Sequence, residues 1–281
     1  MKRLFLLALA TVMMVGCSSK AELRVATYNI RYDAAADAKD GDSWAERKGA
    51  VAEMIKSHDF DIVGTQEGDA RQIEELSALL PEYDHTGHPY GGAKGDAHTA
   101  TIFYKGAKME LLDEGTFWYS PTPEVESIGW DATDLRLCHW GKFRERSSGK
   151  EFYFLDSHLY WRLKEAKANS GKVHIEMIGK ITEGKPVVSV GDFNSGENTP
   201  QVGDILSLLK DSRALSESAP QGCFDTDLGG GNFIGPAKGR IDYIFVSPQI
   251  RVKDYAVLED KRENGHYPSD HLPVVSNITI K

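Results

Sequence analysis

Cysteine is scarce in this sequence: only three occur among 281 residues, and none of them forms a Cys-x-x-Cys pair. A structural zinc site built on cysteine pairs is therefore not expected. Cys17 lies near the start of the chain, and Cys138 and Cys223 are too few to form a disulfide framework in so long a chain. Sequence alone leaves two states open for them, a single bridge outside the cytoplasm or two buried thiols.

The sequence also lacks a dense stripe of lysine and arginine, and its formal net charge is -9. Proteins that follow the phosphates of long nucleic acids carry basic surfaces. This charge balance argues against tight binding of long nucleic acid without a metal. A nuclease whose metal ion offsets the charge locally stays compatible with the sequence.

After the first twenty residues, no segment is apolar enough to cross a membrane. The start of the chain has a different character, because Lys2 and Arg3 precede an apolar run over residues 4–15. A basic region, a short apolar region and small residues in that order predict a signal peptide over residues 1–16.

The segment around Cys17 resembles a bacterial lipobox. By that resemblance Cys17 is the lipidated first residue of the mature chain, residues 17–22 form a short tether, and residues 23–281 form the folded domain. The protein is then anchored in the bacterial cell envelope through its lipid. Ser18 is not the aspartate associated with retention in the inner membrane, which favours the outer membrane.

The remaining chain alternates strand-like and helix-like patterns. Ser43 and Glu46 have the spacing of a capping box that begins a helix. Helices are predicted over residues 44–57, 70–80, 163–182 and 199–209. Strands are predicted over residues 21–31, 60–65, 99–104, 111–118, 135–143, 151–155, 187–190, 241–246, 252–258 and 273–280. This order predicts an α/β domain, with two mixed sheets packed face to face and helices on the outer faces.

The most informative motif follows the apolar run over residues 187–190, where Gly191 precedes Asp192 and Asn194. The glycine allows a tight turn at the end of the strand, and the two polar side chains could then project to the same side. A carboxylate beside a carboxamide can accept a proton from water next to a hydrogen-bond donor for a phosphate oxygen.

Other polar residues also occupy or adjoin predicted strand ends, the edge at which α/β folds place their sites. Taken one at a time, each has a structural explanation, such as a helix-start acid, a core histidine or a turn. Together they would need unrelated explanations, so a shared site is the simpler hypothesis. These residues are Asn29, Glu67, His158, Asp242, Asp270 and His271.

These motifs resemble, in order, those of the endonuclease/exonuclease/phosphatase (deoxyribonuclease I-like) superfamily, over essentially the whole chain from Ala21 onward. The segments over residues 115–120 and 129–132 look like a secreted bacterial branch of it. The matching pieces are residues 27–31, 65–67, 156–159, 191–194, 240–244 and 269–273. The resemblance implies a four-layer α/β/β/α sandwich and metal-dependent hydrolysis of phosphoesters.

The resemblance also implies a role for each matching residue. Glu67 would hold Mg²⁺, or Mn²⁺ as the alternative, and Asn29 and Asp270 nearby would complete the candidate set of metal ligands. Asp192 would activate the attacking water, and no covalent intermediate is expected. Asn194 would bind that water or a phosphate oxygen. The imidazoles of His158 and His271 would donate to the phosphate, and Asp242 would fix the imidazole of His158.

The chain departs from the family pattern around His158. Asp156 stands where the family usually has asparagine, and an ionised aspartate cannot donate a hydrogen bond. Aromatic and basic residues follow in place of an acid, which changes the expected substrate wall. The candidate wall residues are Arg31, Tyr160, Trp161 and Arg162.

The resulting prediction is a monomeric, Mg²⁺-dependent phosphodiesterase tethered outside the cytoplasm. Its substrate would be nucleic acid or a phospholipid or phosphosugar head group, and the anchor and acidic charge favour the smaller substrates. Two alternatives stay open, a catalytically silent binding lipoprotein of the same fold and a phosphomonoesterase.

Overall fold

The computed structural model describes residues 20–91, 97–162 and 164–281. The predicted signal peptide and Cys17 lie outside the described residues. Within the described part of the chain, no helix combines the length and apolar character needed to cross a membrane. Cys138 and Cys223 are free thiols, and Cys138 is buried.

The first sheet contains seven strands in the described residues, in the order β11-β13-β1-β2-β4-β3, with β12 also paired to β13. All pairings are antiparallel except that of β1 with β2. Its strands are β1 (Ala21–Asn29), β2 (Ile62–Gln66), β3 (Tyr83–Gly91), β4 (Ala97–Lys105), β11 (Ile250–Val252), β12 (Ala256–Val257) and β13 (Val274–Ile280).

The second sheet contains six strands in the same described part, in the order β5-β6-β7-β8-β10-β9. Its only parallel pairing joins β7 to β8. Its strands are β5 (Met109–Trp118), β6 (Leu137–Glu145), β7 (Glu151–His158), β8 (Val187–Asp192), β9 (Lys210–Asp211) and β10 (Asp242–Val246).

Helices cover the outer face of each sheet, which gives the predicted α/β/β/α layering. Side chains of α1 and α2 pack on the first sheet in one buried cluster, and those of α3 and α4 pack on the second sheet in another. A third cluster fills the space between the sheets. The helices are α1 (Trp44–Ser57), α2 (Ala70–Leu79), α3 (Lys164–Thr182), α4 (Pro200–Leu208) and α5 (Ser212–Leu215), and a 3-10 helix covers Ala35–Asp40.

The sequence of β1 explains how one strand serves two layers. Successive side chains of a strand point to opposite faces. Leu23 and Val25 accordingly enter the cluster between the sheets, whereas Ala26 and Tyr28 enter the cluster beneath the helices. The predicted capping box begins α1, because the Glu46 carboxylate accepts a hydrogen bond from the backbone N–H of Ser43 at 3.1 Å.

Strand register places the polar residues of the motifs side by side. His158 at the end of β7 pairs with Asp192 at the end of β8, which pairs in turn with Asp242 at the start of β10. In the other sheet, Asn29 at the end of β1 pairs with Gln66 at the end of β2, and Glu67 follows directly. One end of the sandwich therefore receives polar side chains from both sheets.

Two parts of the predicted strand pattern were wrong. The strand over residues 83–91 was not predicted, because Gly87 and Pro89 interrupt its apolar pattern. It forms at the edge of the sheet because backbone hydrogen bonds to β4 along its whole length stabilise it without an alternating apolar pattern. The predicted strand over residues 252–258 is two short strands, because the chain leaves β13 between them.

Candidate active site

Asp192 lies at the centre of the polar end of the sandwich and is almost completely buried. One carboxylate oxygen, Oδ2, accepts a hydrogen bond from Asn29 Nδ2 at 3.1 Å and lies 3.5 Å from His158 Nε2. The other, Oδ1, accepts from the backbone N–H of Asn194 at 2.8 Å. Burial, followed by the charges of Asp242 and Glu67, raises the pKa of Asp192 to about 7, against the opposing effect of His271.

The turn after β8 depends on its glycine. Gly191 has a φ of 147°, and a Cβ there would collide with the backbone of Ser157 on the neighbouring strand. Asn194 has a φ of 49°, a conformation that asparagine tolerates better than most residues. Its Nδ2 donates to the carbonyl of Leu159 at 3.0 Å, which leaves its amide oxygen as the group available to a ligand.

Glu67 approaches Asp192 from the other sheet. It has a φ of 71°, directly after β2, and its Oε2 accepts a hydrogen bond from the backbone N–H of Tyr32 at 3.3 Å. One ligand atom each from Glu67, His158 and Asp192 lies within 4.8 Å of the others. Burial raises the pKa of Glu67, but the nearby positive groups, His98 first, outweigh it and lower the pKa overall.

Asn29 joins the two carboxylates rather than facing a cation with its oxygen. Its Nδ2 donates to Glu67 Oε1 at 3.2 Å as well as to Asp192, and its Oδ1 accepts from the backbone N–H of Arg31 at 3.0 Å. This differs from the metal-ligand role predicted for Asn29. The reason is that the turn after β1 brings the Arg31 N–H to the amide oxygen.

The two candidate imidazoles have different partners, and one predicted pairing was wrong. Asp242 does not hold His158; its Oδ2 lies 2.9 Å from His271 Nδ1. Burial lowers the pKa of His271, but Asp242, Asp192 and Asp270 together raise it well above its ordinary value. His271 is therefore an imidazolium, and its Nε2 lies 3.9 Å from Asp192 Oδ2.

His158 instead contacts Tyr90, whose hydroxyl lies 2.6 Å from His158 Nδ1. Burial, with added repulsion from Arg136, lowers the pKa of His158 well below its ordinary value, so the ring is neutral. When the Tyr90 hydroxyl donates to Nδ1, the proton of the ring stands on Nε2, the atom that faces Asp192. Both imidazoles thus present an N–H to the same space.

Asp270 completes the acidic group on the side of the first sheet. Its Oδ2 accepts a hydrogen bond from the backbone N–H of Gly231 at 2.7 Å and lies 3.6 Å from the Arg31 guanidinium. Burial and the neighbouring charge of Glu67 raise its pKa. Arg31 also forms an ion pair with Asp37 at 3.1 Å, which holds the guanidinium at the rim.

A cavity of about 610 Å³ contains these groups. Arg31, Trp161 and Arg162, three of the candidate wall residues, line it. Tyr160 is not among the lining residues: it is buried, and its hydroxyl lies 3.0 Å from that of Thr133, so it supports the wall from behind. Six other polar or aromatic lining residues were not predicted from the sequence, namely Tyr32, His98, Thr133, Asp134, Arg136 and Asp227.

The chain is similar to known proteins in sequence and in fold. The model of the endonuclease/exonuclease/phosphatase family matches residues 26–271. The crystal structure of a protein of that family from Bacteroides thetaiotaomicron is 33% identical, with a TM-score of 0.85 over 94% of this chain and 99% of that chain. A mannosyl-6-phosphatase from Bacteroides thetaiotaomicron VPI-5482 is 34% identical, with a TM-score of 0.83 over 91% of this chain and 99% of that chain.

Curated relatives include the CCR4-Not complex 3'-5'-exoribonuclease subunit Ccr4 of Aspergillus niger. It is 23% identical over 320 residues, which cover 85% of this chain but 48% of that protein. The chain thus spans about half the length of this relative.

Proposed function

The chain belongs to the endonuclease/exonuclease/phosphatase family, and on that basis we propose that it is a divalent-metal-dependent phosphoester hydrolase. One observation carries the proposal. One side-chain nitrogen or oxygen atom each from Glu67, His158 and Asp192, which come from three strand ends in two sheets, lies within 4.8 Å of the others in the cavity. A binding protein with no catalytic role would not need a buried base, a cationic donor and a carboxylate cluster in one place.

The donor set fits Mg²⁺, with Mn²⁺ as the alternative. Carboxylate oxygens are the protein ligands that Mg²⁺ prefers, and Glu67 and Asp270 would supply them. Burial raises the pKa of Asp270 and of Asp192, and the charge of Glu67 adds to this at both residues, as expected for acids gathered in a site that needs a cation. When bound, the ion would polarise the phosphoryl group and offset its charge.

Asp192 would orient the attacking water and accept its proton. A base is most effective when its pKa is near the working pH, and burial moves Asp192 toward that range. Asn29 and the backbone N–H of Asn194 each hold one carboxylate oxygen, so the direction in which Asp192 accepts the proton is set. The amide oxygen of Asn194 would help to position the same water.

His271 and His158 would stabilise the charge that develops on the phosphoryl oxygens. His271, kept as an imidazolium by Asp242, would donate its Nε2–H to one oxygen. His158, kept neutral and oriented by Tyr90, would donate its Nε2–H to another. Donors fixed before the reaction cost little reorganisation, which is why such groups are effective in buried sites.

Two substrate classes are candidates. The sequence favours small phosphodiesters, and a cavity of about 610 Å³ is in the range that holds a small ligand. A specific observation favours the second class, sugar phosphate monoesters. The chain is 34% identical to a mannosyl-6-phosphatase and covers 99% of it, whereas its identity to the exoribonuclease subunit is 23%.

We also propose that the protein is a lipid-anchored, monomeric enzyme of the bacterial envelope. The direction of β1 would place the cavity away from the proposed anchor, and this position supports a soluble substrate. The strand begins at Ala21, inside the segment predicted as the tether, so the tether would end at residue 20, and it reaches the cavity at Asn29. Its nine residues span about 30 Å at the usual rise of a strand. The cavity would then lie at the end of the domain away from the anchor.

A substrate panel tests the proposed function. Purified protein would be assayed with Mg²⁺ or Mn²⁺ on sugar phosphates, bis(p-nitrophenyl) phosphate, p-nitrophenyl phosphate, a dinucleotide and short RNA, in parallel with Asp192→Asn. Hydrolysis by the wild type that falls about 10²- to 10⁴-fold in the variant supports it. Equal activity in the two proteins, or none on any phosphoester, would count against it.

A further inference from the structure

Two charged side chains in the cavity have polar atoms that no protein group satisfies. Arg136 is 8% exposed, yet its Nε is buried without a hydrogen-bond partner. Asp134 is partly buried, and its Oδ1 likewise has no partner. Both residues line the cavity. Among the described residues, neither has an ion pair.

Such atoms are costly in a folded protein, because each has left water without gaining a bond. The two residues stand two positions apart, immediately before β6, yet they do not form a salt bridge with each other. Both side chains line one cavity, so a ligand that carries donors and acceptors would contact the two residues together there.

Their surroundings place this pair next to the reacting centre. The Arg136 guanidinium lies 5.7 Å from the ring centroid of Tyr90, the residue that contacts His158. It also lies 5.9 Å from the ring centroid of Tyr160, whose hydroxyl contacts Thr133 just before Asp134. A phosphoryl group held at His158 would therefore carry its esterified group toward Asp134 and Arg136.

The charges of the pair indicate which esterified group fits. An arginine alone would favour a second anion, but the neighbouring carboxylate cancels that preference. A carboxylate accepts from hydroxyl groups and a guanidinium donates to them, so the pair suits a neutral group rich in hydroxyls. Trp161, which is 52% exposed and lines the same cavity, offers an aromatic surface for the C–H groups of a sugar ring.

We propose that Asp134 and Arg136 form a subsite for the sugar moiety esterified to the reacting phosphate. Asp134 accepts hydrogen bonds from sugar hydroxyls, and Arg136 donates to a hydroxyl or to the ring oxygen. The proposal rests on the proposed function and names the leaving group which that reaction releases. Asp134 and Arg136 determine specificity here and take no part in proton transfer.

The test compares two esters that share a phosphoryl group and differ in hydroxyls, mannose 6-phosphate and p-nitrophenyl phosphate. For Asp134→Ala and Arg136→Gln we expect kcat/KM on the sugar ester to fall about tenfold to 100-fold, mainly through KM. In both variants the loss on the sugar ester should clearly exceed any change on the aryl ester. Asp113→Ala and Arg146→Gln are matched controls, because both residues are exposed and outside the cavity lining.

Equal losses on both esters would overturn the subsite, because Arg136 would then bind the phosphoryl group. A loss on neither ester would overturn it as well, and so would a wild-type preference for a nucleotide ester with losses confined to that ester.

Calorimetric titration with mannose 6-phosphate separates the subsite from the proposed function. Binding that weakens in Asp134→Ala, in a protein that hydrolyses neither ester, would keep the subsite and overturn the proposed function. No binding of the sugar phosphate to the wild-type protein would overturn the subsite.

Discussion

Asn29 Nδ2 donates a hydrogen bond to Asp192 Oδ2 at 3.1 Å, although the two residues are 163 positions apart and belong to different sheets. The same amide donates to Glu67 Oε1 at 3.2 Å. A single buried side chain therefore holds the proposed base and the proposed metal ligand in a fixed relation. The two sheets meet functionally at this contact.

Replacing Asn29 by alanine should uncouple these two carboxylates. We expect kcat/KM to fall about 10²-fold, since a small misplacement of reacting groups costs that much. Steady-state kinetics, with a urea unfolding curve on each protein, measures the loss and separates it from instability. Asn198→Ala is the matched control, because Asn198 is exposed. Unchanged kinetics in Asn29→Ala would contradict the coupling.

The pair of Asp242 and His271 should govern the alkaline side of the pH profile. Burial opposes the charge on His271, but Asp242 and the other carboxylates raise its pKa well above the ordinary value. The required imidazolium is therefore present below that raised pKa and is lost as the pH rises through it. In Asp242→Asn the pKa of His271 falls, so the decline in kcat/KM should begin at lower pH. A decline at the same pH in both proteins would show that His271 does not set it.

Asp156 should make the protein less stable at neutral pH than its asparagine variant. Burial raises the pKa of Asp156 well above its ordinary value, and its Oδ2 has no hydrogen-bond partner. Because the folded-state pKa exceeds the unfolded one, the stability from the protonated form is complete below the unfolded pKa and is lost as the pH rises through the folded one.

The Asp156→Asn variant keeps a neutral amide in that position and can still accept from Gln66 Nε2, now 2.5 Å from Asp156 Oδ1. We expect its free energy of unfolding at pH 8 to exceed that of the wild type by about 1–3 kcal/mol, with a smaller difference at pH 4. Urea titrations at both pH values measure this, and Glu126→Gln is the exposed control. A wild type more stable than Asp156→Asn at pH 8 would contradict the prediction.

Arg47 should position the active-site loops without touching substrate. Its guanidinium is fully buried and donates only to backbone carbonyls, among them Ile30 and Pro268, both at 2.9 Å. These carbonyls precede Arg31 and the segment that carries Asp270.

In Arg47→Lys some of these carbonyls lose their donor. We expect a loss of about 2–4 kcal/mol in the free energy of unfolding, since hydrogen bonds to charged groups are worth about 1.5–3 kcal/mol each. Urea denaturation measures the loss. Arg146→Gln, at an exposed position, should change it by less than about 0.5 kcal/mol. A similar loss in both variants would argue against the role of Arg47.

The sequence was most informative where polar residues ended apolar strands. Asp192, Glu67 and His158 could be assigned to one site because each closes a strand, and strand ends meet at one edge of a sheet. The partner of each imidazole could not be predicted. Asp242 and His158 flank Asp192 on opposite sides in the sheet, so Asp192 separates them. Asp242 contacts His271 instead, because the loop before β13 brings His271 beside it.

Residues that act from irregular or glycine-containing segments were missed for a different reason. Tyr90 belongs to an edge strand that Gly87 and Pro89 conceal. Arg136 belonged to the strand predicted over residues 135–143 and Asp134 directly preceded it, so neither was assigned to a site. These residues are buried because both sheets and the loop at Tyr160 form the cavity around them. A local sequence pattern does not predict such long-range contacts.

The most direct test of the account is metal dependence measured together with Glu67. We predict that chelation abolishes phosphoester hydrolysis, that Mg²⁺ restores it, and that Glu67→Gln weakens calorimetric Mg²⁺ binding at least about tenfold, as loss of a ligand should. Asp113→Asn, at an exposed position, should bind Mg²⁺ as the wild type does. Hydrolysis that persists in a chelator, with equal Mg²⁺ binding by wild type and Glu67→Gln, would contradict the account.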